Sequence, residues 1–295
     1  MRIFITGGTG LVGSELIKVL ASKHESIIAI SRHKQPELKN VTWLKADLLN
    51  LKVRDYLQEI DLVIHNASSL NKGVSQIERD EMEKVNVDFT HLLLDGITKT
   101  EVKKLIYTSG LNIIKKPFLE KITETSELEP MTPYARSKYN AERIIEEYSD
   151  KFGFNYTILR LSSPIASRLD FMPDTVVKKW IQAGIEGKTI QVYGTGERTQ
   201  DFVSVSDIAN AFLCSIENPE ISGVFNIASG NSISMMELAQ LITTKFGNKY
   251  EFASIDENEN DRWNVSINKA NEQLSFKPQY TSREAIVRLL DSIEI

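Results

Sequence analysis

Along the first half of the chain, short apolar runs alternate with stretches in which apolar residues recur every three or four positions. The runs Ile3–Ile5, Ser26–Ile30, Val41–Leu44, Leu62–His65, Leu105–Tyr107 and Tyr156–Leu161 read as strands. Their near-continuous apolar character suits strands buried on both faces. Helical spacing falls between them, near Ser14–Ala21, Leu51–Leu57, Glu81–Thr98 and Tyr134–Phe152. Repeated strand–helix–strand units predict an α/β fold with a doubly wound parallel sheet and right-handed crossovers.

Beyond about Leu161 the regularity falters in a stretch rich in Ser, Pro and Asp. A helix near Thr175–Glu186 and a strand at Thr189–Tyr193 follow. A second helix (Asp207–Ile216) and strand (Val224–Ile227) read as a return to the main sheet, and further helices are expected at Met235–Phe246 and Ser282–Ile293. The expected division is therefore 1–165, rejoined by 200–228, with 166–199 and 229–295 forming a smaller discontinuous C-terminal lobe. The acidic stretch Asp256–Asp261 reads as a solvated loop.

The 295 residues, 41% hydrophobic and 25% charged, suit a globular chain with a large core. A net charge of −5 argues against a general nucleic-acid binder, so any anionic ligand must be met by local donors. The single cysteine, Cys214, forms no internal disulfide and sits in a helical pattern, as a buried small hydrophobe would. His24, His33, His65 and His91 lack metal-ligand spacing, and no metal is expected. With no long apolar span and a strand at the start of the chain, no membrane contact and a cytoplasmic location are expected.

The first apolar run leads into Thr6-Gly7-Gly8-Thr9-Gly10-Leu11-Val12-Gly13, and a helical pattern begins at once. That order suits a Rossmann-type pyrophosphate cradle. Gly7 can take a positive φ, Gly10 lets backbone approach phosphate, and Gly13 lets helix and strand pack closely. Its plain alternative is a tight strand-to-helix turn. A second signal is Pro133-Tyr134-Ala135-Arg136-Ser137-Lys138. Residues four apart share a helical face, so Tyr134 and Lys138 can address one site. An ammonium beside a phenol would draw its pKa down from about 10 toward neutrality. An exposed helical pair is the plain alternative.

Together these residues resemble an extended short-chain dehydrogenase/reductase, of the NAD(P)-dependent epimerase/dehydratase type that acts on nucleotide sugars. The resemblance spans nearly the whole chain. It includes Ala46-Asp47-Leu48, similar to an adenine-contacting pair, and His65-Asn66-Ala67 at the end of the fourth strand. Asn86 resembles a structural helix asparagine, and the stretches Phe202–Ala209 and Phe225–Gly230 recur in the family. The resemblance implies that Tyr134 exchanges a proton with a substrate hydroxyl while hydride passes at nicotinamide C4. Lys138 would hold the nicotinamide ribose. Leu161 and Ser163 would lie at the turn facing the nicotinamide, and Glu124 near the substrate. The helices at Glu81–Thr98 and Tyr134–Phe152 form a dimer bundle in many relatives, so a homodimer is expected. Their apolar residues Leu92, Leu93, Ile144 and Ile145 could equally face the chain's own sheet.

Three places depart from the family pattern. Gly110 stands where most members put a substrate-holding Ser or Thr, and Ser109 is the expected substitute unless its hydroxyl only satisfies the turn. The second strand ends Ser31-Arg32-His33-Lys34, without the acid that accepts from a ribose 2′-OH. Arg32, with Ser31 and Lys34, could instead meet a 2′-phosphate, so NADP(H) is expected ahead of NAD(H). An exposed basic turn is the alternative. Where members carry an arginine for the substrate diphosphate, this chain has Gln200, with Arg198 two residues earlier and Arg262 later. These arginines are either diphosphate ligands or solvated surface groups.

The expected activity is epimerisation or ketone reduction of a UDP- or dTDP-linked sugar, with Tyr134, Lys138 and Ser109 at the reacting centre. Dehydration is disfavoured, because the Asp-Glu pair it typically needs is replaced by Leu111 and Asn112. A non-catalytic NAD(P) sensor on the same fold is the alternative.

Overall fold

The computed structural model of the chain describes residues 1–23, 26–70 and 75–294. His24, one of the histidines weighed as metal ligands, lies outside them. The elements run β1 (Arg2–Thr6), α1 (Leu11–Lys23), β2 (Ser26–Ser31), β3 (Val41–Lys45), β4 (Leu62–His65), α2 (Gln76–Glu83), α3 (Phe89–Ile97), β5 (Lys104–Gly110), α4 (Pro133–Phe152) and β6 (Asn155–Leu161). Then come β7 (Ser163–Ile165), α5 (Val176–Ile185), β8 (Ile190–Val192), β9 (Thr199–Gln200), β10 (Phe202–Ser204), α6 (Val205–Glu217) and β11 (Gly223–Ile227). β12 (Ile233–Ser234), α7 (Met235–Phe246), β13 (Tyr250–Phe252), α8 (Asn268–Leu274) and α9 (Ser282–Asp291) complete the described fold.

Seven parallel strands form the central sheet in the order β11-β6-β5-β4-β1-β2-β3. The reversal of strand order around β1 and β4 is the topological switch point where doubly wound sheets bind ligands. Period-two alternation divides each apolar run between the two faces. Ile3, Ile5, Leu62 and Ile64 join the core under α1 and α6. Phe4, Val63, Leu105 and Tyr107 join the opposite core, with Phe89, Leu93 and Ile145. Leu93 and Ile145 therefore face the chain's own sheet, whereas Leu92 is 48% exposed. β11 pairs in parallel with β6 from Gly223↔Thr157 to Ile227↔Leu161. A further core gathers α5, α7 and α9, with Trp180, Ile181, Leu238 and Ile286.

Two helical expectations change form. Leu51–Leu57 is not an α-helix; 3-10 turns at Leu48–Asn50 and Val53–Tyr56 occupy this region. Asp47 caps the first by accepting from Leu49 N, and so short a segment cannot recover the cost of nucleating an α-helix. The long helix expected at Glu81–Thr98 begins earlier, in a Ser75/Glu78 capping box, and is broken by a π-helical turn at Lys84–Asp88. The acidic stretch is not simply solvated. Asp261 is 1% exposed, accepting from Phe118 N at 3.1 Å and Lys116 Nζ at 2.6 Å. No helix among the described residues is long and apolar enough to cross a membrane.

Candidate active site

A cavity of about 950 Å³ opens at the carboxyl ends of β1, β2, β4, β5 and β6. Its first wall is the glycine turn. Gly7 has φ +70°, and a Cβ there would lie 2.6 Å from the Asn66 carbonyl carbon. A Cβ on Gly13 would lie 2.8 Å from Gly8 Cα and closer still to the Gly7 carbonyl. These two glycines are required by the protein's own backbone. Gly10 is different. Its φ is not left-handed, and a Cβ would meet nothing nearer than Gly7 O at 3.5 Å. Its missing side chain leaves room on the cavity side of the turn, beside the free N–H groups that open α1 at Leu11 and Val12. The turn therefore fits the pyrophosphate of a dinucleotide.

Ser31, Arg32, Asp47 and Leu48 line one end of the cavity. The Ser31 hydroxyl accepts from His33 N and Gln35 Nε2 at 3.2 and 3.1 Å. Lys34 is exposed and does not line the cavity.

At the centre, β4 and β5 are cross-tied. Asn66 donates through Nδ2 to Gly7 O at 3.1 Å and accepts from Thr108 Oγ1 at 2.9 Å. Buried His65 bridges Thr6 Oγ1 (2.8 Å) and Thr90 Oγ1 (3.0 Å). Thr90 gives its single hydroxyl proton to Asn86 O, so it accepts from His65 Nε2–H, and Nδ1 accepts from Thr6. Burial, aided by the Lys138 charge, pushes the His65 pKa down to about 3 and keeps this relay neutral. Asn86, on the π turn, accepts from Ser69 N (2.7 Å) and donates to Ser137 Oγ (2.9 Å), tying the loop after β4 to α4.

α4 starts at the N-cap Thr132, whose hydroxyl accepts from Ala135 N, with Pro133 in the first turn. Gly153, at φ +79°, ends it. Tyr134 and Lys138 lie on the face turned to the cavity, the Lys138 Nζ 5.9 Å from the Tyr134 ring centre. Lys138 is 2% exposed and donates to Thr108 O (2.8 Å) and Tyr107 OH (3.2 Å). Burial lowers its pKa to about 7 against the raising pull of Glu142. Burial also raises the Tyr134 pKa. The sequence expectation that Lys138 would lower the phenol's pKa is thus corrected. The ammonium is directed to Tyr107 OH and Thr108 O, and desolvation dominates.

Asn66, Ala67, Leu161 and Ser163 also line the cavity, and Ser163 Oγ accepts from Gln200 Nε2 at 2.6 Å. Ser109 lines it, but its Oγ is enclosed and lacks a partner among the described residues. Glu124 does not reach it: its carboxylate accepts from Asn226 N at 2.9 Å, and its carbonyl from Arg160 Nη1 at 3.2 Å. Arg262 is also outside, donating through Nη1 to the carbonyls of Glu259 and Asp261. Arg198 lines a second cavity of about 330 Å³ with Trp180, Tyr193 and Asp256, and Val176 lines both. It is ion-paired to Asp256 at 2.8 Å. Sequence reasoning missed Ser68, Asn112, Trp263 and Phe202 as wall residues. Ser68 follows Ala67 so closely that the loop after β4 was its signal.

Residues 3–228 match the family model described as the NAD dependent epimerase/dehydratase family. The chain is 28% identical to a putative UDP-glucose 4-epimerase of Methanocaldococcus jannaschii, over 98% of this chain and 97% of that one. It is 26% identical to dTDP-D-glucose 4,6-dehydratase of Bos taurus, over 81% and 71% respectively. Among solved structures, UDP-glucuronic acid 4-epimerase from Bacillus cereus in complex with NAD superposes with a TM-score of 0.87 at 21% identity, covering 99% of this chain and 98% of that one. A glycine cradle, an α4 Tyr-Lys pair and a family match over most of the length agree: the chain is an enzyme of the NAD dependent epimerase/dehydratase family, of the extended short-chain dehydrogenase/reductase type.

Proposed function

We propose that the protein is an NAD(P)-dependent epimerase or ketoreductase acting on a nucleotide-linked sugar. The observation that carries this reading is the convergence of Tyr134 and Lys138 on the cavity that begins at Gly7–Val12. A bound nicotinamide dinucleotide supplies hydride acceptance and donation at C4. The N–H groups opening α1 hold its pyrophosphate. Lys138 has three N–H donors and uses two within the protein, leaving one for a ribose hydroxyl. Tyr134 OH moves the proton at the substrate oxygen. The 1–165 and 200–228 segments would hold the dinucleotide, and 166–199 with 229–295 the sugar nucleotide. Because Val176 borders both cavities, a substrate long enough to span them would put its hexose by Tyr134 and its nucleotide by Tyr193 and Arg198. A homodimer through α3 and α4 is part of the reading, supported by exposed Leu92 and Phe152.

Tyr134→Phe should lower kcat by about 10³-fold while leaving dinucleotide affinity near wild type. A variant as active as wild type would overturn the role. A wild type that binds dinucleotide yet exchanges no hydride with UDP- or dTDP-sugars would favour the sensor reading. For the cofactor, Arg32 on the wall and the lack of an acid ending β2 support NADP(H), whereas solved relatives hold NAD. Arg32→Ala should weaken NADPH selectively; equal losses for NADPH and NADH would sink that assignment.

A further inference from the structure

Three positions at the carboxyl end of β5 border the cavity that holds Tyr134, and none offers it a free hydroxyl. Thr108 Oγ1 donates to Asn66 Oδ1 at 2.9 Å. Ser109 Oγ is enclosed, and Gly110 has no side chain. The Gly110 backbone does not demand glycine: φ −152° and ψ 156° are ordinary extended values. What stands in the way is Asn112. A Cβ built on Gly110 would lie 2.7 Å from Asn112 Oδ1, with the next neighbours at 3.7 and 3.8 Å. The 3-10 turn Leu111–Ile113 buries Leu111 and Ile113 and folds the half-buried Asn112 back against Gly110. Its carboxamide lines the cavity with Tyr134 and Lys138 and makes no hydrogen bond to any described residue.

An unpartnered amide in the reacting cavity is a group waiting for a ligand. We propose that Asn112 binds the substrate's reacting oxygen beside Tyr134, in the space a side chain at Gly110 would otherwise take. The inference rests on the function proposed above and names a further residue for that site. A carboxamide both donates and accepts and carries no titratable proton near neutrality. Nδ2–H can therefore hold a hydroxyl or carbonyl oxygen and strengthen its bond as negative charge develops there. The proton itself remains with Tyr134. Asn112 itself has no acid proton with which to expel a hydroxyl.

The test uses the full chain with NAD+ or NADP+ and UDP-glucose, UDP-glucuronic acid, UDP-N-acetylglucosamine and dTDP-glucose. Asn112→Ala should lower kcat by about 100-fold, with wild-type Tm and dinucleotide Kd. Adding Gly110→Ser to Asn112→Ala should restore at least about tenfold, because the new hydroxyl enters vacated space. Asn112→Ala with wild-type kcat on a sugar the wild type converts overturns this inference alone. So does a loss of kcat that tracks a loss of Tm and is not rescued by the double variant. A wild type that binds dinucleotide but converts none of the four sugars overturns the proposed function, and this inference with it.

Discussion

The glycine turn separates two kinds of requirement that look alike in a sequence, and a pair of alanine substitutions should pull them apart. Gly13→Ala puts a methyl against fixed backbone, 2.8 Å from Gly8 Cα and nearer to the Gly7 carbonyl. Alanine gains up to about 1 kcal/mol of helix propensity there. Forcing α1 off β1 costs about 1–3 kcal/mol or more, because a strand and a helix must move and no side chain can rotate away. The expected result is a net loss of stability and a Tm several degrees lower. Gly10→Ala meets only ordinary contact, at 3.5 Å, in backbone that alanine tolerates. Stability should hold or rise by about 0.4–1 kcal/mol through a restricted unfolded chain. The methyl nevertheless stands in the path to the N–H groups of Leu11 and Val12. Losing one charge-assisted hydrogen bond to phosphate costs about 1.5–3 kcal/mol, or roughly 10- to 150-fold in Kd. Thermal unfolding of the free protein reads the first effect, and calorimetric titration with NADH and NADPH reads the second. If Gly10→Ala binds both dinucleotides as wild type does, the cradle reading is wrong.

Three further outcomes follow from the geometry. His65 is neutral when folded, with its pKa pushed down to about 3, whereas unfolded it titrates near 6.5. Between those values only the unfolded chain takes the proton, so this group should remove about 1.4 kcal/mol of stability per pH unit on acidification. Urea unfolding from pH 7 to 4 should show a correspondingly shallower fall for His65→Gln, and parallel curves would refute the relay. Glu124→Gln should leave KM for the sugar nucleotide unchanged, because the carboxylate is occupied by Asn226 N; a KM rise of tenfold or more would return Glu124 to the substrate. Because burial raises the Tyr134 pKa, initial rates of alcohol oxidation should climb with pH by up to about tenfold per unit, while carbonyl reduction stays nearly flat. Matching profiles in the two directions would argue against Tyr134 as the proton carrier.

Legibility followed the range over which each feature is determined. The glycine turn and the Tyr134–Lys138 pair could be read directly, because each depends on neighbours within one turn: a strand end, an N-cap, residues four apart. The strands could be read because burial on two faces writes itself as continuous apolar runs. The π turn at Lys84–Asp88 could not, since it adds one residue per turn without changing the hydrophobic composition. Nor could the fates of Arg198 and Asp261. Arg198 meets Asp256 across 58 positions, and Asp261 meets Phe118 N across 143. Glu124 misled for the same reason: a carboxylate on a polar loop looks available until the fold brings Asn226 N to it. Asn112 is the instructive case. Its place in the cavity depends on a glycine two residues away that, taken alone, reads only as a missing hydroxyl.

The charge arrangement in the cavity also bears on the direction of chemistry. Tyr134 and Lys138 are both desolvated, and desolvation favours the neutral form of each: phenol above its ordinary range, ammonium drawn down to about 7. Such a pair does not hold a phenolate ready in the free protein; it holds a proton on Tyr134. A protonated phenol is already the acid that carbonyl reduction needs, and becomes a base only when something in the liganded cavity stabilises its anion. Lys138 is poorly placed to do that alone, because its two hydrogen bonds point to Tyr107 and Thr108. Ser68 cannot do it either: its one hydroxyl proton goes to Asn86 Oδ1, so toward Tyr134 its oxygen could only accept, which favours the protonated phenol. Stabilisation of the anion therefore has to come from groups that enter with the ligands, and in the free protein the arrangement favours the acid, the form that carbonyl reduction uses first.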